Sequence, residues 1–143
     1  MANLIYNAFL ARAFGETTPI AFEADDIRLA LVTSTYAPNI DSHAFFSDVT
    51  NEVSGTGYTS GGKLLENVTA TQDNTGNKGV VDADDVVWTG ADFTARGAVL
   101  YKDTGNAATS PLIAYYDFGT DKTASGGDFT VLWDAGGVLT AAQ

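Results

Sequence analysis

From residue 64 to the C-terminus, turn signals follow one another so closely that no long helix fits between them. Asn74-Thr75-Gly76-Asn77, Thr104-Gly105-Asn106, Gly126-Gly127 and Gly136-Gly137 separate short apolar or alternating runs. Gly and Asn at such places supply the backbone conformations that tight turns need. The runs predict strands over residues 64–71, 78–82, 85–89, 95–102, 112–118 and 129–133, with a last short one near 138–140. Upstream, Ile27, Leu29 and Leu31 alternate with Arg28, Ala30 and Val32, so this stretch reads as a strand with one strongly apolar face. Short strands without intervening helices predict a mainly β fold, an antiparallel β-sandwich or jelly-roll-like architecture, and not an alternating α/β one.

Two helical pieces are expected beside the strands. "ANLIYNAFLARAFG" sets Leu4, Ile5, Ala8, Phe9, Arg12 and Ala13 at helical spacings with Gly15 as a stop, which predicts a short amphipathic helix over residues 3–14. Its apolar stripe must be covered by the body of the same subunit or by a neighbouring chain. Leu4, Ile5, Phe9 and Arg12 are therefore interface candidates. A loop is expected around residues 17–19. "NIDSHAFFSDV" predicts one or two helical turns, with Asp41 or Ser42 as N-cap and Phe45 and Phe46 pointing inward. "SGTGYTSGGK" reads as loop.

The 143 residues fit a single domain, 1–143, with 1–16 as the helical segment and 26–143 as the sandwich. A domain of this size buries about two-thirds of its unfolded surface and needs no staple. The chain has no cysteine, which excludes thiolate catalysis, cysteine-based zinc sites and disulfides.

Eighteen acidic residues face seven basic ones, a net charge of −11. Such a surface repels phosphate, so neither nucleic acid nor an anionic membrane is an expected partner. No apolar run approaches the roughly 20 residues of a membrane-spanning helix, and Met1-Ala2-Asn3-Leu4 lacks the basic start of a signal peptide. The chain reads as soluble and unprocessed.

The side chains that carry chemistry are few. His43, the one histidine, sits in "DSHAFF". Catalytic triads are assembled from separated segments, and the adjacent Asp41, Ser42 and His43 cannot aim at one another. Asp73, Thr75 and Asn77, with Asp84 eleven residues after Asp73, faintly echo a calcium loop, but Lys78 occupies the place of the required glycine. A hairpin turn beside a solvated acidic edge accounts better for the pattern. Trp88, Trp133, Tyr58, Tyr101, Tyr115 and Tyr116 could form a sugar-stacking platform; the apolar neighbours of both tryptophans favour core anchors instead. No glycine pair is followed by the residues of a phosphate loop. No catalytic, cofactor or metal residue is expected, and the chain reads as a non-enzyme.

Arg96 raises a question of its own. It opens an apolar run in which strict alternation would set it with Ala98, Leu100 and Lys102. A guanidinium among apolar groups needs a carboxylate. Asp92, Asp117 and Asp128 are the candidates within the chain, and a subunit interface is the other source.

"FFSDVTNEVSGTGYTSGGKLL", "VVDADDVVWTGADFTARGAVLYKDTG" and "SPLIAYYDFGTDKTASGGDFTVLWDAGGVLT" together resemble a family of small structural proteins of tailed bacteriophages. The order Asp-Val-Thr-Asn-Glu-Val, Trp88, Ala95-Arg96-Gly97-Ala98, Tyr101-Lys102-Asp103 and Asp117-Phe118-Gly119 carries the likeness, which spans nearly everything from Ile27 on. The resemblance implies a capsid decoration, or cement, protein: a homo-oligomer, trimer or dimer, on the virion surface, bound to the major capsid protein and made in the bacterial cytoplasm. An acidic exterior suits dense display. The alternative implied is a tail or fibre component that binds host carbohydrate.

Overall fold

The computed structural model describes residues 2–15 and 19–142. Met1, positions 16–18 and Gln143 lie outside the described residues, and with them most of the loop expected around 17–19. Two antiparallel sheets carry the fold. The larger runs in the order β1 (Ala2–Ile5), β7 (Leu112–Val131), β6 (Val86–Lys102), β2 (Ile27–Val32), β3 (Lys63–Leu64), and the smaller in the order β4 (Thr69–Asp73), β5 (Lys78–Asp82), β8 (Leu139–Ala142). One helix, α1 (Asn7–Ala13), and 3-10 turns at Phe46–Asp48 and Ala107–Thr109 complete the described elements. The mainly antiparallel β architecture follows the spacing of the turn signals.

The N-terminal helix is shorter than its apolar spacing predicts. Leu4 and Ile5 lie in β1, opposite Tyr115 and Ala114 of β7, and not on a helix. A one- or two-turn helix gains little by itself, whereas a strand on the edge of β7 gains ladder hydrogen bonds and turns its side chains to opposite faces. Leu4 accordingly packs toward one core and Ile5 toward the other.

Two pairs of expected strands are each one long strand. The stretches 85–89 and 95–102 join in β6, and 112–118 and 129–133 join in β7. Gly126-Gly127, read as a turn, lies inside this ribbon, where the register slips between Trp88 and Ala91 and again between Ala91 and Asp92. Gly126 has φ +82°, and a left-handed glycine within an antiparallel pair bends a strand without ending it. Conversely, the strand expected over 64–71 divides between the sheets as β3 and β4, with Asn67 at φ 51° in the link.

β2 is buried on both faces. Ile27, Leu29 and Leu31 meet Trp88, Leu100, Ile113, Phe129 and Val138 in the larger core, which the smaller sheet covers. Tyr116 ties the sheets together, its hydroxyl donating to the carbonyl of Val138 at 2.7 Å. Ala30 and Val32 face a second core with Tyr6, Tyr36, Val99, Tyr101, Leu112 and Tyr115. The stretch 39–48 helps to close this face. Its cap is Asn39, whose side chain accepts from the N–H groups of Asp41 and Ser42, so Asp41 and Ser42 are capped and are not the caps expected. Phe46 stacks on Tyr101 with ring centroids 4.1 Å apart, and Phe45 lies under the guanidinium of Arg12 at 5.0 Å.

Candidate functional site

The residues singled out in the sequence divide between two surfaces. The first is built around a bulge. Gly97 pairs with Asp117 but Ala95 with Lys122, so the ladder slips at Arg96. Ala91, Phe93 and Ala95 face the larger core, and after the slip so do Ala98 and Leu100. The alternation has changed phase at Arg96. Strict alternation would set Arg96 with Ala98 and Leu100; the bulge turns it to the opposite face, beside Leu4, Tyr36 and Tyr115. There its Nε donates to Oδ1 of Asp117 at 2.8 Å, and the same oxygen accepts from the N–H of Gly119. A pocket of about 430 Å³ opens here, walled by Asn3, Leu4, Ser34, Tyr36, Arg96 and Asp117 among others. Gly97 is required for the close approach: a Cβ there would stand 2.6 Å from the Tyr115 ring.

The second surface is a groove of about 900 Å³ between α1 and the smaller sheet, with Ile5, Phe9, Leu10, Phe14, Phe22, Val80 and Leu139 on its walls. Phe9 packs edge-on against Phe22 at 6.1 Å. Leu10 is 46% exposed and Phe14 92%. Leu4 and Arg96 thus belong to one surface and Ile5 and Phe9 to the other. Arg12 belongs to neither: it is buried over Phe45.

The scarce cations hold the scaffold. Arg28 pairs with Asp103 at 2.8 Å, Lys102 with Asp25 at 3.0 Å and Lys78 with Asp73 at 3.8 Å. Lys63 donates to the carbonyl of Val87. Carboxylates hold loops in the same manner. Glu52 accepts from the Tyr58 hydroxyl and the Gly61 N–H, each at 2.6 Å, and from Ser60 at 3.1 Å. Tyr58 in turn accepts from the N–H of Leu31. The glycine-rich stretch read only as loop is therefore pinned to β2, a function its composition did not reveal.

His43 is half-buried. Its Nδ1 is 3.0 Å from the Tyr36 hydroxyl, which is 2.9 Å from that of Tyr6. Burial first, and then the bond to Tyr36, push the Tyr6 phenol far up. Asp73 accepts from the N–H groups of Thr75 and Gly76 in the β4–β5 hairpin, and Asp84 accepts from Asn67, so the acidic stretch is engaged in turn geometry. Of the aromatic residues considered as a platform, Trp88, Tyr101, Tyr115 and Tyr116 are buried and Tyr58 is half-buried. Trp133 is half-buried, with its indole N–H on the carbonyl of Asp84 at 3.0 Å.

Two carboxylates set the expected acid limb of stability. The bond from Arg96, followed by the N–H of Gly119, holds Asp117 below the usual carboxylate range. For Asp48, partial burial pushes upward, but the N–H groups of Phe45 and Ala44 and the nearby His43 outweigh it, and the net direction is down. A depressed carboxylate stabilises the fold above its unfolded pKa of about 4, and that stability is lost as pH falls through the folded value. The thermal midpoint should therefore be flat from about pH 5 to 7 and drop below about pH 4. Asp117→Asn should shallow that drop; an unchanged acid limb in scanning calorimetry would contradict the assignment.

Comparison of the chain with protein-family models, with curated proteins and with solved structures gives no match. Among the described residues, no helix is long and apolar enough to cross a membrane.

Proposed function

We propose that this chain is a non-catalytic structural protein of a tailed-phage virion, which decorates the capsid and stabilises it by binding the major capsid protein. It would be made in the bacterial cytoplasm and carried on the capsid surface. The reading rests on the resemblance and is supported by what the motifs behind that resemblance do in the fold. Asp48 and Glu52 secure a turn and a loop, Trp88 fills the larger core, Arg96 and Asp117 pair at a bulge, and Lys102 and Asp103 pair with Asp25 and Arg28. Each charged residue among them has a partner inside the chain. A protein whose distinctive residues are spent on rigidity acts through its outer surface, as a shell-stabilising protein does through repeated contacts.

The pocket beside β1 is the surface we assign to the capsid. β1 is an edge of the larger sheet, and a sheet edge offers backbone groups to an added strand. Arg96 supplies a cation about one-third exposed on an acidic molecule. Quantitative mass spectrometry of purified particles tests the reading: a copy number of the same order as the major capsid protein is expected. A ratio far lower would replace it with a tail position. On the same particles, Arg96→Ala should lower occupancy about tenfold or more if the cation is a contact hot spot, while circular dichroism shows the fold intact.

A further inference from the structure

The groove between α1 and the smaller sheet plays no part in the capsid assignment; it supplies a surface and a symmetry for the homo-oligomer that the resemblance implies, argued from the edges of the sheet. The smaller sheet has two edges, and they are treated differently. At β4, a carboxylate oxygen of Glu23 takes the N–H of Ala70 at 2.8 Å, which blunts that edge against further pairing. β8 pairs with β5 on one side. On its other side, no backbone hydrogen bond from Leu139, Thr140, Ala141 or Ala142 is made among the described residues. Its sequence, Leu-Thr-Ala-Ala, has none of the charges or prolines by which edge strands avoid pairing. Leu139, Thr140 and Ala141 also line the groove, so the open edge and the exposed Leu10 and Phe14 belong to one continuous surface.

Charge decides what can occupy it. The chain carries −11 overall, yet the groove lining holds one acid and one base, Asp73 and Lys78, and these pair with each other. A second copy brings the same excess of carboxylates, and here it meets a face of no net charge, without the like-charge penalty of an acidic contact. Symmetry points the same way. A strand paired antiparallel with its own copy is what a two-fold axis normal to the sheet generates, each residue contacting its counterpart reciprocally.

We propose that two copies of this chain associate through β8, antiparallel about a two-fold axis, joining the two smaller sheets into one of six strands and burying Leu10 and Phe14 along the joined grooves. Light scattering coupled to size exclusion at micromolar concentration should give twice the 15.0 kDa of one chain. Phe14 and Ala141 are exposed, so Phe14→Asp and Ala141→Glu should leave circular dichroism and thermal midpoint close to the parent. Each should weaken the dimer about thirty-fold or more, the loss typical of a buried aromatic anchor or of like charges meeting on an axis. Leu132→Asp is the control: Leu132 is an exposed leucine, 64% accessible, outside the groove, and its replacement should leave the dimer intact. A monomeric parent, a trimer, a dimer that survives both groove variants, or one broken by Leu132→Asp would overturn the proposal. Capsid binding is read separately on particles with Arg96→Ala, so failure of either proposal is recognised without the other.

Discussion

Replacing Gly62 by alanine is expected to cost about 4 kcal/mol or more, enough to unfold much of the population of a domain whose whole stability is of the order of 5–15 kcal/mol. Gly62 has φ +73°, which strains any residue with a side chain, and a Cβ there would stand 1.9 Å from the carbonyl oxygen of Leu29 and 2.6 Å from the Cα of Ala30. Both obstacles are backbone of the interior strand β2 and cannot step aside as a flexible side chain would. Gly105 provides the comparison. Its φ is +83° but no atom lies within 4 Å of the added carbon, so Gly105→Ala should cost only the conformational part, about 1 kcal/mol. Chemical denaturation of the two variants separates strain from collision. Equal losses would mean that the approach of the Gly62 turn to β2 is not what holds this loop.

The second large effect concerns the N-terminus. Removing residues 2–14 should destroy the cooperative fold and not merely detach a docking helix. β1 completes one edge of the larger sheet through four register pairs with β7. Tyr6 is fully buried in the second core, its hydroxyl on Tyr36 and its N–H on the carbonyl of Ile113. Tyr6→Ala alone should cost about 3–5 kcal/mol, as for other large aromatics cut back to alanine in a core. Tyr6→Phe, which keeps the ring and loses one buried hydrogen bond, should cost about 1–2 kcal/mol. A truncated chain that still melted cooperatively, at the parent's midpoint, would show that the segment is an appendage after all. For the same reason, truncation is no test of capsid binding, whereas exposed substitutions at Phe14, Ala141 and Arg96 are.

Turn residues were legible because their chemistry is local. Asn77 at φ 51° and Gly105 at φ +83° lie where the sequence placed turns, and the β4–β5 hairpin follows directly from Asp73 and the residues after it. The partner of Arg96 was legible as one of three aspartates. Its face was not, because the ladder slips there, five steps along β7 from Lys122 to Asp117 against two along β6 from Ala95 to Gly97, and the slip changes the phase of the alternation without leaving a mark in the pattern of apolar residues. The same blindness covers Gly126-Gly127, since a glycine pair that ends a strand and one that bends it have the same letters.

Strand period, turn propensity and net charge are sums over local choices, so a β-rich domain with no cysteine, few cations and an acidic exterior is readable from the residues alone. The fold set everything that depends on which segments meet. It made Leu4 and Ile5 a strand, since β7 had an edge to offer. It buried β2 on both faces and spent nearly all the described cations on internal contacts. It left β8 with an open edge beside two uncovered apolar side chains, an arrangement of segments separated by over a hundred residues, which no local rule registers.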